Sequence, residues 1–186
     1  MELTVIPRLD RSKGKTNAIR REGNIPGVIY AKEIAPESIF VNGQQFNTVL
    51  REINPGQLST MVFTLNVNNK KRKAIIKDIQ YQITSYRVAH LDFEEIDEHI
   101  PVIVKVPVRC VGVADCVGIK LGGFLRQVTR FIKVKCLPKD IPEKFEIDIK
   151  EMGIGEVKRL KDLTTSKQIK LFGNLQGTII VISRTR

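Results

Sequence analysis

Residues 13–30 read KGKTNAIRREGNIPGVIY, and they join a cationic helical pattern directly to an apolar strand. Thr16 or Asn17 can begin a helix over residues 16–22, because these side chains accept hydrogen bonds from backbone N–H groups of a first turn. Gly23 is suited to ending that helix. The run at residues 26–30 predicts a short strand. A cationic helix that leads into a strand would hold positive charge at a fixed place on a sheet.

The rest of the first half has the pattern of short strands with one further helix. Strands are predicted at residues 2–9, 37–41, 60–67, 73–83 and 87–93, and a helix is predicted at residues 43–52. Within the last strand, alternation puts Val88, His90 and Asp92 on one face. Ala89, Leu91 and Phe93 lie on the opposite face.

After the acidic run EEIDE at residues 94–98, the pattern changes from mixed strands and helices to nearly continuous strands, and we place a domain boundary there. The predicted domains are residues 1–94 and 95–186. The second half is nearly all β, with strands expected near residues 100–109, 123–137, 144–149 and 177–184. Its helix candidates are short, at 150–153 or 159–163. The pairs Gly122-Gly123 and Gly153-Ile-Gly155 are predicted turns that need positive φ. The fold class is therefore mainly β with short helices (α+β).

The balance of charge favours a polyanionic partner. Of 186 residues, 31 are Lys or Arg and 20 are Asp or Glu, which gives a formal net charge of +11. Such an excess suits the neutralisation of phosphates. Both halves are basic, so charge alone does not identify the part that binds, and a basic protein that binds no nucleic acid stays open.

Several other classes of protein have little support. No apolar run is long enough for a membrane span, and the N-terminus does not have the pattern of a secretory signal. Three cysteines without a CxxC pair indicate buried or free thiols in a reducing cytoplasm. The chain has two histidines and no phosphate-binding glycine loop or metal-ligand spacing. We therefore expect no enzyme activity, cofactor, metal or small-molecule substrate.

Two sets of polar residues could contact RNA. Arg11, Lys13 and Lys15 are predicted in the loop before the first helix, and Arg20 and Arg21 at its end, with a solvated basic loop as the alternative. Lys70 and its neighbours form a second basic run at a hairpin turn, where charge is usual. His90 and Asp92 share a strand face, where a histidine can stack on a base and a carboxylate can accept from a base amino group or a 2′-hydroxyl. A partly buried histidine hydrogen-bonded to aspartate is the other interpretation.

The order of several motifs resembles a known family. The stretches GKTNAIRREGNIPGVIY, VNGQQFNTVLRE, AIIKDIQYQ and VAHLDFEE resemble the bacterial large-subunit ribosomal protein that binds 5S ribosomal RNA. The continuation IPVIVKVPVRCVGVADCVGIKLGGFLRQ and then CLPKDIPEKFEIDI is similar to the second domain of its longer form, the Ctc general-stress type. The resemblance runs from about residue 8 to residue 163.

The resemblance implies a fold, a role and a set of contacts. It implies an N-terminal antiparallel β-barrel and a β-rich C-terminal domain, in a monomer within the cytoplasmic ribosome. The implied partners are 5S ribosomal RNA, large-subunit ribosomal RNA and neighbouring ribosomal proteins. The residues implied to contact RNA are Arg11, Lys15, Thr16, Arg20, Tyr30, Lys77, Gln80, His90 and Asp92.

The chain also departs from the family pattern. Asn17 and Ala18 stand where the family commonly has two arginines, which weakens the case for RNA contacts there. The C-terminus ends SRTR instead of an acidic tail. A stress-related module that acts on proteins through the C-terminal sheet is the alternative function.

Overall fold

The computed structural model describes residues 1–8, 12–31, 35–67, 70–163 and 169–184. The chain forms two compact units, Met1–Val102 and Ile103–Arg186. Each has its own sheets and its own buried residues. The mainly β fold with short helices is confirmed.

Six strands of the first unit close into a barrel in the order β1-β3-β2-β6-β5-β4. They are β1 (Glu2–Pro7), β2 (Ile25–Tyr30), β3 (Glu37–Val41), β4 (Val62–Val67), β5 (Lys70–Tyr81) and β6 (Val88–Glu95). The barrel is mainly antiparallel, and its two parallel seams join β1 to β4 and β2 to β6. A closed barrel leaves no unpaired sheet edge.

Alternation along the strands fills the barrel interior. Leu91 and Phe93 of β6 are fully buried, as the period-two pattern predicts, while His90 and Asp92 face outward. The buried cluster includes Leu3, Ile39, Phe63, Leu65 and Ile76 from the other strands. Burial of large apolar side chains of this kind stabilises the fold by about 1.5–3 kcal/mol for each.

Two helices lie between the strands of the barrel. Helix α1 (Lys13–Arg21) has no buried residue, so it rests on the surface of the unit. Helix α2 (Gly43–Glu52) has the predicted bounds and buries Phe46 and Val49. Asn42 caps α2, because its side-chain oxygen accepts from the backbone N–H groups of Gln44 and Gln45 at 2.9 and 3.2 Å.

The predicted start of the first helix is wrong by three residues. Helix α1 begins after Ser12, and Thr16 lies within it instead of capping it. The Thr16 hydroxyl donates to the Ser12 carbonyl one turn earlier, at 3.0 Å. The predicted end is confirmed, since Gly23 follows the helix with a φ of +82°.

The second unit contains two separate sheets. Its elements are β7 (Val102–Val111), α3 (Val117–Lys120), β8 (Gly123–Gln127), β9 (Phe131–Cys136), β10 (Phe145–Asp148), β11 (Val157–Arg159), β12 (Lys170–Phe172) and β13 (Thr178–Arg184). One sheet has the order β10-β7-β9-β12 and the other β11-β13-β8. Gly122 and Gly155 have φ values of +87° and +89°, as the turn pattern predicts, whereas Gly123 and Gly153 do not have positive φ, and Gly123 begins β8.

Three details of the second unit differ from the sequence-based expectation. The predicted run at 123–137 is two strands in different sheets, β8 and β9. The helical turn within residues 159–163 is a single 3-10 turn, Leu160–Asp162, and residues 150–153 form no helix. Helix α3 was not predicted, because four residues that include Gly118 show no helical periodicity.

Candidate nucleic-acid interface

Strands β2, β6 and β5 lie side by side and bring five of the predicted RNA-binding residues onto one surface. Gln80 lies opposite His90 across the antiparallel β5–β6 pair. Tyr30 lies on β2, whose parallel register with β6 places Val28 beside Asp92. We call Tyr30, Lys77, Gln80, His90 and Asp92 the outer face, since all five have side chains outside the barrel core.

His90 and Asp92 lie in direct contact on this face. The distance between His90 Nδ1 and Asp92 Oδ1 is 2.7 Å, with the two side chains 21% and 32% exposed. The Nδ1 atom is buried without hydrogen-bond geometry to any group in the described residues. The carboxylate therefore covers one edge of the imidazole, and both side chains stay partly open to a ligand.

Lys77 reaches the outer face through an irregularity in β5. The register between β5 and β6 shifts between Ile76 and Asp78, which makes Lys77 the extra residue of a β-bulge. Bulges redirect side chains in this way. The Lys77 ammonium forms an ion pair with Glu94 at 2.5 Å. The lysine that was predicted to meet phosphate is thus held beside a carboxylate.

Tyr30 stands among acidic side chains. Burial raises the pKa of its hydroxyl to about 12, with smaller contributions from the charges of Glu94, Asp92 and Asp78. The phenol is therefore a stable neutral donor at physiological pH. The same carboxylates would repel phosphate, but they can accept hydrogen bonds from 2′-hydroxyls and base amino groups in a shallow minor groove.

Arg20 connects helix α1 to this surface. Its Nε and Nη2 groups both donate to the backbone oxygen of Ala89, at 3.3 and 3.2 Å, and Nη1 donates to Asn17 Oδ1 at 3.3 Å. Ala89 directly precedes His90 in β6. A guanidinium has five N–H donors, and these bonds use three of them. Arg20 thus fixes the end of α1 next to the outer face and keeps donors for an anion.

Of the other predicted residues, two lie earlier in helix α1 and one lies outside the described part of the chain. Thr16 lies one helical turn before Arg20, and its hydroxyl accepts from Arg8 Nη1 at 2.8 Å. That bond and the one to Ser12 commit the hydroxyl to the protein. Lys15 is exposed in the first turn of α1 and not in a loop before it, because the helix begins earlier than the sequence pattern indicated. Arg11 falls outside the described residues.

Ion pairing distinguishes the two basic runs. Lys71 pairs with Glu2 at 2.7 Å, Arg72 with Glu37 at 3.0 Å, and Lys73 with Glu98 at 2.9 Å. These cations are largely neutralised within the unit. In the described part of the chain, Lys13 and Arg21 of α1 are exposed and form no such pair. Helix α1 therefore presents exposed cations to a polyanion, whereas three cations of the second run are paired; Arg51, Lys70 and Arg87 are exposed as well.

Sequence reasoning missed the loop between β5 and β6. Ile83 is 91% exposed and Tyr86 is 81% exposed, directly beyond the ends of the strands that carry Gln80 and His90. Tyr86 also has a φ of +54°, which a tyrosine rarely adopts. Large exposed apolar side chains at the end of a polar face suit contact with bases or sugars. The sequence pattern had placed Ile83 at the end of a predicted strand, and the residues between the two predicted strands, 84–86, carried no recognised motif.

The cysteines have the environment of packed thiols. Cys116 and Cys136 are buried and Cys110 is partly buried. Burial raises the pKa of the Cys110 thiol, and burial with the charge of Asp140 raises that of Cys136. A raised pKa lowers the thiolate fraction that a nucleophile requires. Separately, none of the helices in the described residues has the length and apolar character needed to cross a membrane.

Comparison with known proteins identifies both halves of the chain. Residues 3–93 match the profile of the ribosomal L25p family. Residues 101–186 match the profile of the ribosomal protein TL5, C-terminal domain.

Full-length relatives give the same result. Large ribosomal subunit protein bL25 of Chlamydia caviae is 40% identical over 184 residues, which is 99% of this chain and 100% of the relative. The bL25 proteins of Chlamydia pneumoniae and Chlamydia trachomatis serovar L2 are 41% and 39% identical over the same shares of each chain. The chain therefore belongs to the ribosomal L25p family, in its long, Ctc-type form with two domains.

Proposed function

We propose that this protein binds 5S ribosomal RNA through the outer face and the adjoining helix α1. Its family membership makes the chain a structural, non-enzymatic constituent of the large ribosomal subunit, located in the cytoplasmic ribosome. Association with ribosomal RNA and ribosomal proteins follows from that role. The identity of the RNA and the surface that binds it are the proposal.

The observation that carries the proposal is the position of Arg20 against β6. Its two hydrogen bonds to the Ala89 oxygen hold the end of α1, with its exposed cations, beside the outer face. A double-stranded RNA needs both features in one place, because phosphates flank the shallow minor groove of the A-form helix. Helix α1 supplies the cationic contacts, and the outer face supplies groups that can distinguish hydroxyls and base edges.

Carboxylates on and beside the outer face favour specific over general RNA binding. A purely electrostatic surface would be uniformly cationic, whereas this one places Asp92 and Glu94 beside Tyr30 and His90. Each carboxylate makes a wrongly placed phosphate unfavourable. The arrangement therefore suits an RNA that places minor-groove hydroxyls against the carboxylates of Asp92 and Glu94 and its phosphates against the cations of α1.

A competition gel shift tests this function. Labelled 5S RNA bound to the full chain is challenged with unlabelled 5S RNA or with an unrelated RNA duplex of equal length. We expect the 5S competitor to displace the label at a concentration at least about tenfold lower, which is a free-energy difference of about 1.4 kcal/mol. Equal displacement by both competitors would show that binding is general and would refute the proposal.

A further inference from the structure

The outward side of the four-stranded sheet in the second unit combines exposed lysines with exposed phenylalanines. Along β9, the exposed residues Phe131, Lys133 and Lys135 alternate with buried residues. In the paired strand β12, Lys170 lies opposite Lys135 and Phe172 lies opposite Lys133. Directly opposed residues share a face. We call these five residues the Lys/Phe face.

The charges on this face are not compensated locally. In the described residues, Lys133, Lys135 and Lys170 form no ion pair, and the opposed pair Lys135–Lys170 is a repulsive arrangement. Acidic residues lie instead on β10 at the other end of the sheet, where Glu146 and Asp148 are exposed. The β9–β12 end is thus complementary to a polyanion, and the β10 end is not.

The two aromatic rings stand close enough to act together. Phe131 is 46% exposed and Phe172 is 59% exposed. Since Phe172 faces Lys133, Phe131 and Phe172 are diagonal neighbours, with Cα atoms about 7–8 Å apart. Both rings line a shallow pocket of about 320 Å³ that also includes Asn174. That volume is at the lower end of the range for ligand-binding pockets.

We propose that the Lys/Phe face binds unpaired RNA, with bases stacked on Phe131 and Phe172 and phosphates neutralised by Lys133, Lys135 and Lys170. Aromatic side chains on a sheet that alternate with cations are the arrangement that suits single-stranded nucleic acid, because every base has a π-face. A paired duplex hides those base faces. This site is separate from the outer face of the first unit and does not depend on 5S RNA binding.

The test uses the full chain and a mixed-sequence single-stranded RNA of about twelve nucleotides, with fluorescence anisotropy as the readout. We expect the double substitution Phe131→Ala and Phe172→Ala to weaken binding by about 30-fold or more, since it removes two stacked bases and each contributes at least about fivefold. Phe124→Ala is the matched control, because Phe124 of β8 is 48% exposed but lies in the other sheet. Equal affinity of the double variant, the control and the wild type would overturn the proposal.

A second variant tests the charges and does not depend on the phenylalanines. Lys133→Ala with Lys135→Ala should reduce the slope of log affinity against log salt by about 1.4, at about 0.7 for each phosphate contact in a single strand. Lys120→Ala with Lys150→Ala removes the same charge elsewhere in the unit and should leave the slope nearer to that of the wild type. Equal slopes for the two pairs would contradict the proposal.

Photo-crosslinking of the same RNA gives a direct readout of position. Crosslinks at Phe131 or Phe172 are expected. The proposal would be overturned if no crosslinks form at these residues and the variants bind RNA as the wild type does. If those variants also fail to join large-subunit particles, the face would be assigned to a protein partner.

Discussion

Replacing Arg20 with alanine is expected to weaken the binding of 5S ribosomal RNA by about 1–3 kcal/mol. The substitution removes a cation from the end of α1, and it also removes the two bonds to the Ala89 oxygen. Helix α1 has no buried residue, so these bonds are a large part of what holds it beside β6. Binding can be measured by the shift of labelled 5S RNA in a native gel.

Two further variants separate the positional role of Arg20 from its charge. Arg20→Lys keeps the charge but cannot form the forked bond to one oxygen, so it should recover only part of the lost affinity. Arg21→Ala removes an equal charge from the neighbouring exposed position and should have a smaller effect. Full recovery in Arg20→Lys, or equal losses in the two alanine variants, would contradict a positional role.

Gly43→Ala is expected to lower the free energy of unfolding of the first unit by about 3 kcal/mol. A Cβ atom at Gly43 would lie 1.9 Å from the Gly23 carbonyl oxygen. Because that oxygen belongs to the backbone, it cannot move away as the end of a flexible side chain could. Gly23 ends α1 with positive φ, so neither segment can shift without disturbing a helix terminus. The capped start of α2 and the end of α1 are packed together at this point.

Tyrosine fluorescence in a urea titration measures that effect for the first unit alone. The chain has no tryptophan, and its three tyrosines, Tyr30, Tyr81 and Tyr86, all lie in the first unit. Gly14→Ala is the matched control, because a Cβ there meets no atom within 4 Å. In a helix, alanine in place of glycine should be neutral or stabilising by up to about 1 kcal/mol. A midpoint for Gly43→Ala equal to that of the control would refute the close-contact explanation.

Local patterns in the sequence predicted those parts of the fold that depend on near neighbours. The spacing of Phe46 and Val49 predicted helix α2, and the alternation of His90, Leu91, Asp92 and Phe93 predicted both faces of β6. Those signals arise from the side-chain periods of helices and strands. The same alternation correctly indicated which residues of β6 would have side chains outside the barrel core.

Pairings between distant segments had no such signal. The parallel seams of β1 with β4 and of β2 with β6 join segments separated by helices and other strands. The three-residue strands β11 and β12 exist because longer strands pair with them. The bulge at Lys77 and the bonds of Arg20 to Ala89 depend on that tertiary register. Resemblance to a family could suggest Arg20 and Lys77 as RNA-contacting residues. It could not show that Arg20 holds a helix in place or that Lys77 pairs with Glu94.

The most direct test of the central claim compares the two histidines in 5S RNA binding. His90 lies on the outer face, whereas His99 is exposed in the turn after β6. We expect His90→Ala to weaken 5S binding by about 1–3 kcal/mol and His99→Ala to leave it near the wild-type value. Unchanged affinity in a folded His90→Ala variant, or equal losses in both variants, would contradict the assignment of 5S RNA to the outer face.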